Sequence, residues 1–242
     1  MQSVNISPQT DHILFLDVET VPNTAQYSEL SPEARQLWSD KSRLFKQNEQ
    51  DDPASLYDRA GIYAEFGKVI CISVGYLQDN AGERRFHLRS YAGDDEKQIL
   101  QDFASMLTGW DKAGRYLCGH NIREFDVPYL CRRMLINSIS LPPMLDIGGL
   151  KPWEVRHLDT LQLWKFGDYK HYTSLKLLAW CFGIPSPKSD IDGSEVARVY
   201  YQEQDLSRIQ AYCERDVVTV ARLYLKLVRG GEIEDKALVV RI

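Results

Sequence analysis

The sequence of 242 residues has no long apolar run and few cysteines. No segment approaches the ~20 apolar residues that span a bilayer. The first residues, MQSVNISPQTDH, lack the basic segment and apolar stretch of a secretory signal. The five cysteines form no C-x-x-C pair, so neither a disulfide framework nor a zinc ribbon is predicted. We therefore expect a cytoplasmic protein that does not associate with membranes.

The sequence also lacks an excess of basic charge. Its 29 basic and 34 acidic residues give a net charge of −5, which argues against a protein that coats nucleic acid by bulk charge. The acidity is local: residues 1–66 carry 11 acidic and 5 basic residues, whereas residues 67–242 carry 23 and 24. Any nucleic-acid site must therefore be a local feature of the surface.

Apolar patterning along the chain predicts an α/β fold. Strands are predicted at about residues 12–18, 68–76, 84–91 and 116–118. Helices are predicted at about residues 31–45, 94–107, 126–135, 173–182, 194–203 and 206–228, and residues 137–157 read as a loop. No repeat or linker divides the chain, so we expect one domain over residues 1–242, with a polar, acidic insertion at about residues 23–66.

Two acids lie at the end of the first predicted strand. Asp17 and Glu19 are two residues apart, so their side chains share one face of an extended strand. Carboxylates at the end of a buried strand are costly unless they bind something positive. The alternative is a strand end that already emerges into solvent, and an isolated D-x-E pattern favours that alternative.

A third acid, Asp126, lies two residues before Pro128, at a predicted helix start. Its alternative role is that of a helix N-cap, worth about 1 kcal/mol. A fourth, Asp216, falls within the apolar stripe of the last long helix, one turn after Tyr212. Its alternatives are a buried Tyr–Asp hydrogen bond or a salt bridge. Taken together, four carboxylates supply the oxygen ligands that a pair of hard divalent ions requires.

The order of these motifs resembles the DEDD exonucleases of the RNase H-like fold. FLDVET is similar to the first motif, GHNIREFDVPYL to the second and YCERDV to the third. The segments HLDT and SLKLLA, with the following Gly-Ile-Pro, resemble the 3′–5′ proofreading domain of family B DNA polymerases and its stand-alone bacterial relatives. Tyr212 and Ala211 place the chain in the tyrosine subclass. The insertion is a departure from the family, and no polymerase domain is expected after the last helix, so proofreading in cis is not expected.

The resemblance implies a fold, a reaction and a set of site residues. The fold would be a central mixed sheet flanked by helices, and the reaction would release nucleoside 5′-monophosphates from nucleic-acid 3′ ends, with single-stranded DNA favoured. Asp17 would bridge two divalent ions, Mg²⁺ or Mn²⁺; Glu19 and Asp216 would complete the ion that activates water. Asp126 would hold the second ion, and Tyr212 would position the attacking hydroxide.

The resemblance also implies that Thr20, Asn121 and Phe125 contact the terminal nucleotides. For Phe125 the alternative is a core aromatic side chain. Residues 151–176 interleave aromatic and basic side chains, which suits either single-strand binding or a core with solvated lysines. Two other functions stay open: a 3′–5′ exoribonuclease, and a nucleic-acid-binding module of the same fold that does not cleave.

Overall fold

A mixed β-sheet in the order β5-β4-β1-β2-β3-β6 forms the centre of this computed structural model. The structure describes residues 9–45, 48, 51–80, 83–168, 172–185 and 191–241. The strands are β1 Ile13–Pro22, β2 Gly67–Asn80, β3 Glu83–Ala92, β4 Tyr116–Gly119, β5 Leu158–Asp159 and β6 Leu238–Arg241. β1, β2 and β3 pair antiparallel, whereas β4 pairs parallel with β1 and β5, and β6 pairs parallel with β3.

Helices flank the sheet on both faces, which confirms the predicted α/β class. They are α1 Pro32–Ser42, α2 Glu96–Trp110, α3 Asp126–Ile136, α4 Thr160–Lys165, α5 Leu175–Cys181, α6 Val196–Arg198 and α7 Leu206–Val228. Short 3₁₀ turns lie at Thr10–His12, Tyr27–Glu29, Arg43–Phe45, Tyr57–Ile62 and Asp235–Ala237, and a π-helical turn at Val199–Glu203 follows α6. Within the described residues, no helix has both the length and the apolarity needed to cross a membrane.

The central strand β1 divides its side chains between two helical layers. Leu14, Leu16 and Val18 pack in one core cluster with α2 and α3, and Ile13 and Phe15 pack in another with α7. Because successive strand residues point to opposite faces of a sheet, the next odd-numbered residues of β1 must also face the α7 side. The alternation of β1 therefore directs Asp17 and Glu19 toward the last long helix.

β1 is longer than the predicted strand at residues 12–18. It pairs with β2 as far as Pro22, opposite Gly67, with a register shift between Glu19 and Thr20. The two acids consequently lie inside the strand, and Glu19 is only 8% exposed. The alternative in which the acids stand on a strand end emerging into solvent is therefore wrong.

The sequence patterns missed three short elements. β5 has only two residues and β6 only four, and each is held by pairing with a neighbouring strand. α4 has six residues and begins where the Asp159 side chain accepts hydrogen bonds from the backbone N–H groups of Leu161 and Gln162. The predicted helix at 194–203 is divided between α6 and the π-helical turn. Elements this short carry too little periodicity to be read from a sequence.

The segment at about residues 23–66, predicted to be an acidic insertion, has an aromatic core cluster of its own. Trp38 is fully buried there, its indole N–H donates to the Pro53 carbonyl at 2.7 Å, and its ring meets that of Tyr57 edge-on at 5.6 Å. Two side chains of α3 join this core to the sheet domain. The Tyr129 hydroxyl donates to the Gly61 carbonyl at 2.8 Å, and Arg133 donates to the Ala64 carbonyl at 2.8 Å while pairing with buried Glu96.

Candidate active site

The two acids of β1 meet Cys213 of α7. Ligand atoms of Asp17, Glu19 and Cys213 all lie within 4.8 Å of one another. The Cys213 thiol donates to the backbone carbonyl of Asp17 at 3.4 Å. The Asp17 Oδ2 atom is buried and has no hydrogen-bond partner among the described residues. Cys213 was predicted only as part of an apolar stripe, although its position one turn before Asp216 is a signal for its place beside the acids.

The Asp126 carboxylate also lies close to Asp17 of β1. Asp126 is the first residue of α3 and is 4% exposed, whereas the N-cap position belongs to Phe125, so the capping alternative for Asp126 is wrong. The Asp126 carboxylate instead accepts a hydrogen bond from the backbone N–H of Val18. β4 pairs with β1 only from Ile13 to Phe15, and Asp126 occupies the edge of β1 beyond that pairing.

Asp216 and Tyr212 face the acids from α7. The Tyr212 hydroxyl donates a hydrogen bond to the Asp216 carboxylate, so the Tyr–Asp hydrogen bond considered from the sequence is present, between two half-buried side chains. Both side chains also lie within electrostatic reach of the β1 acids: Asp216 raises the pKa of Asp17 and of Glu19, and the charges of Glu19 and Asp17 raise that of Tyr212. The pair is therefore part of the carboxylate cluster.

Burial raises the pKa of all four carboxyl groups, and repulsion by the other acids of the cluster raises the pKa of Asp17 and Glu19 further. For Asp17 the largest cause is burial, followed by the charges of Asp216 and Asp126; for Glu19 it is burial, followed by Asp17 and Asp216. Burial raises the pKa of Asp126 to about 7. It raises that of Asp216 to about 6, against the lowering effects of the Tyr212 hydrogen bond and of Arg215. When carboxylates lie this close together and are shielded from water, their ionised forms need a nearby positive charge to be stable.

Asp159 holds the turn between β4 and α3. Its carboxylate accepts hydrogen bonds from the backbone N–H groups of Asn121 at 3.0 Å and Arg123 at 3.2 Å, in addition to those at the start of α4. Asp159 is 3% exposed, and its charge raises the pKa of Asp126. It therefore anchors the turn that leads into Asp126, a role that sequence reasoning did not assign to it.

The three predicted substrate contacts lie around this turn and the end of β1. The half-buried Thr20 shares a side-chain hydrogen bond with Tyr129. Asn121 has a left-handed backbone, with φ of 63°, and its buried Oδ1 atom has no hydrogen-bond partner in the part of the chain that the structure describes. The half-buried Phe125 packs on Tyr129 with ring centroids 5.5 Å apart. Contact of these three side chains with substrate stays a prediction.

The aromatic residues of the segment 151–176 divide into two groups. Trp164 packs edge-on against Phe182 at 5.9 Å in a core cluster. Trp153 and Phe166 are 77% and 89% exposed. Tyr169, Lys170 and His171 lie outside the described residues. The structure thus assigns Trp164 to the core and leaves other aromatic side chains of this segment in contact with solvent.

The donor set fits divalent ions that prefer oxygen ligands. Asp17, Glu19, Asp126 and Asp216 supply hard carboxylate oxygens, which are the ligands of Mg²⁺ and Mn²⁺. Bound cations would give the unpartnered Oδ2 atom of Asp17 a partner. They would also offset the repulsion of Asp17 by Asp216 and Asp126. The cluster also lies toward the carboxyl ends of the parallel strands, where α/β sheets bind their ligands.

Comparison with known proteins defines the class of this fold and site. A family model described as "Predicted 3'-5' exonuclease related to the exonuclease domain of PolB" matches residues 62–238, and the chain belongs to that family. The matched segment includes Asp126, Tyr212 and Asp216; β1 with Asp17 and Glu19 precedes it. No curated protein sequence matches the chain.

A solved structure confirms the RNase H-like fold of a polymerase exonuclease domain. The chain is similar to the family B DNA polymerase of the hyperthermophilic archaeon Pyrobaculum calidifontis, with a TM-score of 0.54 and 17% sequence identity. The match covers 89% of this chain and 24% of the polymerase chain. The chain therefore spans about a quarter of the length of that polymerase.

Proposed function

We propose that this protein is a metal-dependent 3′–5′ exonuclease whose exonuclease domain covers residues 1–242. It hydrolyses phosphodiester bonds at nucleic-acid 3′ ends, with single-stranded DNA favoured, and releases nucleoside 5′-monophosphates. The observation that carries the proposal is the convergence of four carboxylates from β1, α3 and α7, of which Glu19 and Asp126 are buried and Asp17 and Asp216 half-buried, and whose pKa values are all raised.

Each side chain has a role in this proposal. Asp17, Glu19, Asp126 and Asp216 would hold two divalent ions, Mg²⁺ or Mn²⁺. Such a pair, when bound, activates water and stabilises the entering and leaving oxygens of an in-line displacement. Burial, followed by the charges of Asp216 and Glu19, raises the pKa of Tyr212 and keeps its hydroxyl protonated. Because that proton is donated to Asp216, Tyr212 would orient the attacking water through its hydroxyl oxygen, as a hydrogen-bond acceptor.

The residues of the turn and of β1 would bind the terminal nucleotides. Asn121, in the turn that leads into Asp126, would present its side-chain amide to a hydroxyl or amino group of the substrate. Thr20, hydrogen-bonded to Tyr129, and Phe125, packed on the same tyrosine, would line the place of the last nucleotide. This arrangement supports recognition of a chain end.

A labelled-substrate assay tests the proposal. Single- and double-stranded DNA and RNA, labelled at the 5′ end, are incubated with Mg²⁺, Mn²⁺ or EDTA. We expect metal-dependent stepwise shortening from the 3′ end, fastest on single-stranded DNA, and its loss in D17N, which removes a charge at constant shape. D40N, at an exposed position of α1, is the matched control and should retain full activity.

Other outcomes point to the alternatives. Shortening of RNA alone would replace the proposal with an exoribonuclease. Oligonucleotide binding without cleavage under any metal condition would replace it with a non-catalytic binding module.

A further inference from the structure

Tyr172 is an exposed aromatic residue beside the carboxylate cluster. It precedes α5, and 64% of its surface is exposed. Its ring meets the imidazole of His120 at a steep angle of 69°, with centroids 6.1 Å apart. His120 is the residue between Gly119, the last residue of β4, and Asn121. The contact therefore joins Tyr172 to the turn in which substrate binding is proposed.

The backbone next to Tyr172 is held in place. The His120 Nε2 atom donates to the Thr173 carbonyl at 2.9 Å, and its Nδ1 atom shares a hydrogen bond of 2.9 Å with the Thr160 hydroxyl. Burial lowers the pKa of His120, which keeps the imidazole neutral and suits one donor and one acceptor. Ser174 then caps α5 by accepting from the N–H of Leu177. The Tyr172 ring is thus presented by an anchored segment.

The Tyr172 hydroxyl lies within electrostatic reach of the site. After burial, the causes that raise its pKa are the charges of Asp126, Asp159, Asp17 and Asp216. A hydroxyl that stays protonated is not a charged ligand for a cation. The ring nevertheless leaves most of its surface open to solvent next to the place where a 3′ end would be bound.

We propose that Tyr172 is a substrate-binding residue whose ring stacks on a base of one of the two 3′-terminal nucleotides. This proposal rests on the function proposed above and names the group that the site would recognise beside the scissile phosphate. Stacking on an aromatic side chain suits every base, because each base has a π-face. Tyr172 would therefore favour an unpaired 3′ end of any sequence.

The test measures binding in EDTA, where cleavage is absent, by the fluorescence anisotropy of a labelled single-stranded oligodeoxynucleotide. Two substrates are compared: an intact strand, and one with abasic nucleotides at its last two 3′ positions. We expect Y172A to weaken binding of the intact strand on the order of 10-fold. The abasic ends should weaken binding to the wild-type protein by a similar factor and have little further effect on Y172A.

Two further variants test whether the effect of Y172A comes from lost stacking. Y172F tests for a contact of the hydroxyl, and W180A tests for a general effect of removing exposed aromatic surface. Y172F keeps the ring and should bind as the wild-type protein does. W180A removes another exposed aromatic side chain, on α5, and should keep the full response to abasic ends. If Tyr172 served only in folding, Y172A would weaken binding of the intact strand and of the abasic strand by the same factor.

The stacking proposal is overturned if abasic ends weaken wild-type and Y172A binding equally, if Y172F is as weak as Y172A, or if W180A loses the same response. The parallel cleavage assay distinguishes this failure from a failure of the proposed function. If the wild-type protein cleaves and Y172A binds the strand as tightly as the wild-type protein does, only the proposed role of Tyr172 is wrong. Absence of both binding and cleavage removes both proposals.

Discussion

The Asp159 carboxylate accepts a 3.0 Å hydrogen bond from the backbone N–H of Asn121, although 38 residues separate the two along the chain. Asp159 ends β5, and Asn121 lies in the turn after β4, so this bond ties together the ends of two adjacent parallel strands. The left-handed backbone of Asn121 is a conformation that a short polar residue tolerates. The path of the chain into Asp126 thus depends on a residue outside the carboxylate cluster.

Replacing Asp159 by alanine should destabilise the protein more than loss of an ordinary helix cap. The variant leaves the backbone N–H groups of Asn121, Arg123, Leu161 and Gln162 without their acceptor. We expect the free energy of unfolding in urea to fall by roughly 2–4 kcal/mol. The exposed Asp95 caps α2 through a single N–H, so D95A should cost about 1 kcal/mol. Equal losses in the two variants would contradict the anchoring role of Asp159.

The stability of the metal-free protein should fall as the pH rises. Burial raises the pKa of Asp126 to about 7 and of Asp216 to about 6. The folded protein therefore binds more protons than the unfolded chain between about pH 4 and pH 7, and the stabilisation present below that range is lost across it. We expect a lower melting temperature in EDTA at pH 8 than at pH 5, and a smaller difference in D126N. A melting temperature that rises with pH in this range would contradict the raised pKa values.

Divalent ions should reverse this dependence. Metal binding requires ionised carboxylates and stabilises the state that binds the ion. Saturating Mg²⁺ or Mn²⁺ should therefore raise the melting temperature at pH 8 much more than at pH 5. The same ions should have little effect on D17N at either pH. Stabilisation of D17N equal to that of the wild-type protein would place the ions elsewhere.

Replacing Tyr212 by phenylalanine should slow the proposed reaction without preventing metal binding. The variant removes the hydroxyl that donates to Asp216 and leaves the four carboxylates intact. We expect kcat to fall on the order of 10²-fold with KM little changed, because the hydroxyl orients water and not the nucleic acid. Steady-state cleavage measures both constants, and the Mg²⁺-induced melting shift at pH 8 should persist. A rise in KM at constant kcat would assign Tyr212 to substrate binding instead.

The acidic insertion should unfold locally when its core is emptied. W38A removes a fully buried indole and its hydrogen bond to Pro53, which should cost about 3–5 kcal/mol. Limited proteolysis should then cut within residues 23–66 well before the sheet domain. Leu44 lies in the same insertion but is 81% exposed, so L44A should change stability by less than about 0.5 kcal/mol. Uniform proteolysis of W38A along the whole chain would show that the insertion and the sheet unfold together.

Much of this architecture could be predicted from the amino-acid sequence. The structure contains the elements whose apolar residues repeat regularly over several turns of helix or several residue pairs of strand. They are the strands near residues 68–76 and 84–91 and the helices near 94–107, 126–135 and 206–228. The α/β class follows from their alternation. β5, β6 and α4 escaped prediction because pairing and capping by distant residues stabilise them, and local propensity does not.

The candidate site, like the fold, could be predicted from the sequence only in part. The sequence by itself determined which side chains carry carboxylates and that Asp17 and Glu19 share one face of a strand, because side-chain alternation is a local property of the backbone. Only the tertiary structure decided that β1 continues through those acids, that Cys213 meets them and that Asp126 binds the edge of β1 rather than capping its helix. Long-range pairing and burial decide such contacts, and the raised pKa values follow from them.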